Sequence, residues 1–253
     1  MPLLSLEHVT QRFGGLVAVG DLNFALDAGS IVAMIGPNGA GKSTVFNLIT
    51  GIYRPSAGRI VFDGVSLLGR STGTIAALGI ARTFQNVRLF SFMSVLDNVL
   101  AGEHARLHSH LVDDLLHTPR QRREERVAAE RAFELLRFVG LEREAQTTAR
   151  NLPYGLQRRL EIARALASQP KLLLLDEPAA GLNHNEKHDL IGLIRRIRER
   201  GATIFLIEHD MGLVMELSER ITVLDHGERI AEGTPAEVRA NPRVIEAYLG
   251  APA

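Results

Sequence analysis

Ile31-Val32-Ala33-Met34-Ile35-Gly36-Pro37-Asn38-Gly39-Ala40-Gly41-Lys42-Ser43-Thr44 decides the fold. The apolar run from Ile31 to Ile35 reads as a short strand buried on both faces, as in a parallel sheet. It leads straight into Gly36-x-x-x-x-Gly41-Lys42-Ser43, and the segment beyond is helical in pattern. Glycines let the backbone curl so that successive N–H groups point inward, and a helix N-terminus adds its positive end. The loop from Gly36 through Pro37, Asn38, Gly39, Ala40 and Gly41 to Thr44 is therefore read as a cradle for a nucleoside triphosphate. Lys42 reaches the β- and γ-phosphates and the Ser43 hydroxyl takes Mg²⁺. A chance glycine turn would lack the flanking strand and helix.

Composition narrows the class. The chain has 253 residues, 45% of them hydrophobic, which suits one α/β domain or a core with an attached lobe. Lys and Arg number 29 and so do Asp and Glu, so no global field draws the chain to nucleic acid or an acidic membrane. No cysteine is present, which excludes disulfides, thiol catalysis and cysteine-ligated metal. The start lacks a basic leader with an apolar stretch, and no run is long enough to span a bilayer. The expected location is cytosolic, with any membrane role supplied by a partner.

Leu4, Leu6 and Val9 open a strand that breaks at Gly14-Gly15. Phe13 precedes those glycines, where an aromatic either stacks on a nucleobase or packs beside the turn. The helix from Lys42 is expected to stop near Gly51, a turn falls at Pro55–Gly58, and Arg59–Phe62 reads as a strand. Ala81-Arg82-Thr83-Phe84-Gln85 reads as another strand ending in a polar residue. Ser94 and Asp97 have the spacing of a capping box for a helix to about Gly102. From Glu103 to Gly140 the pattern is helical and charged, with Thr118-Pro119 as a helix start. Arg120, Arg122, Arg123, Glu124, Glu125 and Arg126 alternate in sign, which reads as a solvated helix face rather than a nucleic-acid patch. His104 and His108 are spaced i,i+4, but no carboxylate completes a metal set with them or with His110 and His117.

Leu172–Leu175 followed by Asp176-Glu177 is a second apolar strand, ending in two acids where ligands gather in parallel sheets. Asp176 suits a Mg²⁺ shell, and Glu177 is placed to orient or deprotonate a water. Asn183 with Glu186 caps a helix to about Gly201, and the strand Thr203–Ile207 ends in Glu208-His209-Asp210. His209 is either a γ-phosphate ligand or an ordinary loop histidine. Ile221–Leu224 and Arg229–Ala231 flank Asp225-His226-Gly227 as a hairpin. Thr234-Pro235 starts another helix.

Asn151-Leu152-Pro153-Tyr154-Gly155-Leu156-Gln157-Arg158-Arg159-Leu160-Glu161-Ile162-Ala163-Arg164 resembles the signature segment of ATP-binding-cassette (ABC) ATPases, a glycine loop at a helix start. The resemblance covers nearly the whole chain. It implies an α/β P-loop NTPase cassette over 1–253, with a RecA-like core and an N-terminal antiparallel β subdomain. It also implies an inserted α-helical subdomain over about 86–165 and a helical C-terminal extension over 234–253. By the same resemblance Phe13 stacks on adenine, Gln85 senses Mg²⁺ and a permease, and His209 is the switch histidine. Ala180-Gly181-Leu182-Asn183 matches the loop exchanged between subunits. Leu152 to Gln157 act in trans on a partner's ATP, and Ser43, Gln85 and Asp176 hold Mg²⁺. The usual signature serine is replaced by Pro153, which leaves the N–H groups of Tyr154 and Gly155 and the helix dipole.

Arg12-Phe13-Gly14-Gly15-Leu16-Val17-Ala18-Val19, the Tyr154-Gly155 signature, Asp176 to Asn183 and Tyr248-Leu249-Gly250 are similar to one subgroup. These are the larger ATPase subunits of branched-chain amino acid importers. The resemblance implies a cassette dimer, with a heterodimer favoured, two permease subunits, an external solute-binding protein and no nucleic acid. The lipopolysaccharide-export ATPase and the non-transport ABC ATPases are the alternatives.

Overall fold

The computed structural model describes residues 1–103 and 119–249. His104, His108, His110, His117, Thr118, Gly250 and the side chains of Arg120 to Glu125 lie outside the described residues. Strands β1 (Leu4–Phe13) and β2 (Leu16–Leu26) form a hairpin around Gly14-Gly15. With β4 (Ala57–Phe62) and β5 (Val65–Ser66) they make an antiparallel sheet in the order β2-β1-β4-β5.

The second sheet is built on β3 (Ile31–Ile35), together with β6 (Ile80–Arg82), β7 (Leu172–Asp176), β8 (Thr203–Ile207), β9 (Arg220–Asp225) and β10 (Glu228–Gly233). Its order is β10-β9-β3-β8-β7-β6, parallel except for the β9–β10 hairpin. Strands β3, β7 and β8 are buried at every position. Period-two alternation sorts their side chains onto two faces. Val32, Met34, Leu172, Leu174, Phe205 and Ile207 join the core under the antiparallel sheet, whereas Ala33, Ile35, Leu173, Leu175, Ile204 and Leu206 join the core under the helices. Phe205 stacks on Phe24 of β2 at 4.8 Å and meets Phe46 edge-on at 5.1 Å. Burying such a ring contributes roughly 1.5–3 kcal/mol and ties the two sheets together.

The helices are α1 (Lys42–Ile49), α2 (Thr72–Ala77), α3 (Val95–Glu103), α4 (Pro119–Val139), α5 (Tyr154–Ala167), α6 (His184–Glu199), α7 (Met211–Leu217), α8 (Pro235–Ala240) and α9 (Pro242–Leu249). Helices α3, α4 and α5 pack on one another through Val95, Val99, Ala132, Leu136 and Leu160. Asn183 and Glu186 make a complete capping box for α6, and Thr234 and Glu237 do the same for α8.

Two local expectations are corrected. The strand expected over Ala81–Gln85 is Ile80–Arg82, because the main chain of Phe84 and Gln85 bonds to side chains of α5 instead of a neighbouring strand. At α3 the Ser94 hydroxyl accepts the Asp97 amide at 3.0 Å and donates to Asp97 Oδ2 at 2.6 Å. The aspartate is one methylene shorter than the glutamate of a full box. Among the described residues no helix is long and apolar enough to cross a membrane.

Candidate functional site

Because β3, β6, β7 and β8 run parallel, the loops leaving their carboxyl ends emerge along one edge. That edge gathers the 36–41 loop, Gln85, Asp176, Glu177 and His209. The phosphate loop depends on glycine at two contacts. A Cβ on Gly36 would lie 2.1 Å from the Leu224 carbonyl oxygen, and one on Gly41 2.4 Å from that of Ala18. Gly36, Gly39 and Gly41 all have positive φ. Helix α1 opens with no side-chain cap and no acid in its first turn, so its positive end serves the loop.

Lys42 is buried and its Nζ donates to the carbonyls of Gly36 at 2.6 Å and Pro37 at 2.9 Å. Burial holds its pKa below the usual lysine value, while Glu177 and Asp176 pull it back up. An anion in the loop would complete its charge pairing. Ser43 is exposed beside it.

Glu177 follows β7 with φ +47°, a left-handed conformation uncommon outside glycine and concentrated at functional sites. Its N–H donates to the Ile207 carbonyl at 2.8 Å, which locks the turn to β8. Its Oε2 accepts a hydrogen bond from Gln85 Nε2 at 3.0 Å and lies 3.6 Å from His209 Nδ1. With the Gln85 amide donating there, its carbonyl oxygen remains for a metal. The side chains of Ser43, Gln85 and Asp176 offer the oxygen donors that would suit the hard cation Mg²⁺.

Phe13 is 41% exposed and meets Tyr53 edge-on at 5.1 Å, so it is both packed and presented to solvent. In the signature segment, Leu152 is buried, Pro153 is the N-cap residue of α5, and the Gln157 amide caps the Leu152 carbonyl at 2.9 Å. Leu156 packs at the edge of the helical core. The Tyr154 ring lies over Gly181, whose added Cβ would approach it at 3.0 Å, and a Cβ on Gly155 would strike Glu186 at the head of α6. The Ala180–Asn183 loop thus rests on the signature of the same chain.

Several residues at the site carried no local signal. Arg82 donates to Asp176 Oδ2 at 2.7 Å and to Asn47 at 2.7 Å, with both charged side chains under a tenth exposed. Glu208 is buried, and its carboxylate accepts the amides of Ala179, His209 and Asp210 at 2.8, 2.8 and 3.1 Å. Tyr248 of α9 stays 41% exposed, and its partial burial raises the phenol pKa, with the nearby Gly36 amide acting against the rise. Arg243, Glu246 and Ala247 of α9 share a pocket with Pro37 to Ala40.

Residues 19–180 match the family described as ABC transporter, and residues 228–253 match one described as branched-chain amino acid ATP-binding cassette transporter. This chain belongs to the ABC transporter family. The cassette is 49% identical over 250 residues to the high-affinity branched-chain amino acid transport ATP-binding protein BraF of Pseudomonas aeruginosa, with 98% of each chain covered. It is 50% identical to LivG of Escherichia coli, a protein of the same description, again over 98% of each. A solved ATP-binding cassette of an ABC transporter in its ADP conformation superposes with a TM-score of 0.85 at 30% identity, covering 99% of both chains. The P-loop cassette fold and the ATPase class expected from sequence therefore hold. These relatives favour the branched-chain reading over lipopolysaccharide export.

Proposed function

We propose that the chain is the ATP-hydrolysing subunit of an importer for branched-chain or similar hydrophobic amino acids, working as a cassette dimer beneath two permease subunits at the cytoplasmic membrane face. The observation that carries the reading is the convergence of Lys42, Gln85, Asp176, Glu177 and His209 on one sheet edge. Lys42 and the 36–44 amides bind the phosphates, and Phe13 stacks on the adenine. Glu177 Oε2 takes a proton from the attacking water, while Gln85 and His209 hold that carboxylate and the water in line. Ser43, Gln85 and Asp176 would hold Mg²⁺, which when bound would supply charge neutralisation at the transferring group.

Leu152 to Gln157 serve the nucleotide of a second cassette, and Ala180–Asn183 cross the same interface. A related cassette is solved as a dimer bound to ADP and Pi, at 26% identity and a TM-score of 0.77. A heterodimer suits the altered signature. Residues 86–165 would form the helical subdomain that meets the permeases and 234–253 the C-terminal extension. Phe90, Phe92 and Met93, all exposed, offer that subdomain an apolar contact. A solute-binding protein outside the cell would complete the assembly, and no nucleic acid takes part.

The test is affinity capture of tagged Glu177→Gln with ATP from detergent-solubilised membranes. Two polytopic permeases and a second cassette are the expected companions. A soluble or partnerless protein would overturn the transport reading and leave the ATPase.

A further inference from the structure

Arg158 and Glu161 sit on one face of α5, a single turn apart, and are 2% and 1% exposed. Neither touches the phosphate loop, Asp176 or Glu177. Both are spent on the segment that carries Gln85. Arg158 Nη1 donates to the Phe84 carbonyl at 2.7 Å, and Nη2 donates to the Gln85 carbonyl. Glu161 Oε1 accepts the amides of Phe84 at 3.3 Å and Arg88 at 3.2 Å, and its Oε2 pairs with Arg158 at 3.4 Å. A buried ion pair is weak evidence for stability, since desolvation offsets the attraction. Here the pair spends four contacts on the main chain of one loop, which is a way of placing that loop.

The other end of the same helix is the signature segment. The Arg158 guanidinium lies 5.4 Å from the Tyr154 ring, and that ring rests on Gly181. From the Gln85 main chain the path continues through its side chain to Glu177 Oε2 at 3.0 Å. The run Tyr154–Arg158–Gln85–Glu177 is unbroken contact from a segment serving the partner's nucleotide to the base serving the chain's own.

We propose that Arg158, braced by Glu161, is a positioning residue that couples the signature loop in trans to Gln85 and Glu177 in cis, so that each cassette's hydrolytic site reads whether its signature is engaged. The inference rests on the proposed roles of the signature and of Gln85. The chemistry singles out arginine. Its planar fork bonds two successive carbonyls at once, which the single ammonium of lysine cannot do. A shift of the Gln85 main chain by a fraction of an ångström moves the amide that holds Glu177. Misplacement of about 1 Å costs up to about 10²-fold in rate.

The test is a double-mutant cycle on the full chain with Mg²⁺ and ATP, pairing Arg158→Lys with Gln85→Ala. Arg158→Lys is expected to lower kcat about 10-fold with KM for ATP within about 2-fold, because the phosphate loop is untouched. In the Gln85→Ala background the same change is expected to alter kcat by less than about 2-fold, since the route to Glu177 is already cut. A merely structural arginine would lower the melting temperature and give multiplicative losses, which overturns the proposal. A parent kcat in Arg158→Lys overturns it as well. If Gln85→Ala itself keeps the parent kcat, the role assigned to Gln85 fails, a separate result. Should Arg158→Lys not fold, Glu161→Gln, which keeps an acceptor for the Phe84 and Arg88 amides while removing the charge, goes through the same cycle.

Discussion

Gln85 Nε2 donates to Glu177 Oε2 at 3.0 Å, joining two loops 92 residues apart in the chain. Neither loop is held by this bond alone. Glu177 is pinned by its amide to Ile207 and Gln85 by its carbonyl to Arg158, so the bond aligns a carboxylate rather than building the fold. Gln85→Ala is therefore expected to leave thermal stability and ATP affinity near the parent values and to lower kcat by about 10- to 100-fold, a typical loss for a group orienting a general base. Steady-state ATPase kinetics beside a melting curve check this. A change in KM alone would contradict it.

Arg82 and Asp176 form the buried ion pair of the site. Arg82→Met strips the paired guanidinium from a carboxylate with 6% of its side-chain surface exposed, leaving only the more distant charge of Lys42 to offset it. Such a loss costs about 3–5 kcal/mol. Adding Asp176→Asn should recover at least half of that, since the neutral amide needs no counter-charge. Urea unfolding of the single and double variants measures it. A single variant within about 1 kcal/mol of the parent would show that the pair does not hold β6 to β7.

Gly181 carries φ +77° and faces the Tyr154 ring. Gly181→Ala is expected to destabilise the chain by about 1–3 kcal/mol, combining left-handed strain with a tight contact. Tyr154→Ala in the same chain should restore the contact part and leave the strain. Equal destabilisation with and without the Tyr154 ring would mean that the ring does not rest on the loop.

Asp210 caps α7 and pairs with Lys187 at 2.6 Å. The Lys187 hydrogen bond is the main cause holding the Asp210 pKa below the ordinary aspartate value of 3.8, against some desolvation. A depressed carboxylate adds stability that is present above the unfolded pKa and lost as pH falls through the folded one. Asp210→Asn keeps a capping oxygen and removes the charge. After allowance for partial exposure, the parent should exceed it by about 0.5–1 kcal/mol at pH 7 and match it well below pH 3.8. Chemical denaturation at both pH values checks the sign. A difference that persists in acid would assign the effect to packing.

What could be read from sequence was what is written locally. The phosphate loop, the acids after Leu175 and the caps at Asn183 and Thr234 each declare themselves within a few residues, because backbone geometry demands them there. The end of β6 did not. Phe84 and Gln85 leave the sheet because side chains 73 to 77 positions later take their backbone groups. Arg82, Arg158 and Glu161 act through partners distant in the chain, as Glu208 does in reaching Ala179, and a lone arginine or glutamate on an apolar face gives no periodic signal. Phe13 was readable as an aromatic near the loop, but its contact with Tyr53 was not. The roles proposed for the signature and for Ala180–Asn183 rest on a second chain, which no single sequence displays.

The most direct measurement of the central claim is ATP turnover and ATP affinity in Glu177→Gln beside the parent chain, with the second cassette added once capture supplies it. The account predicts parent-like ATP binding, turnover lowered by at least about 10²-fold, and a doubled molar mass by light scattering with Mg²⁺ and ATP. Turnover at the parent rate would contradict it, and Glu177 would not be the base.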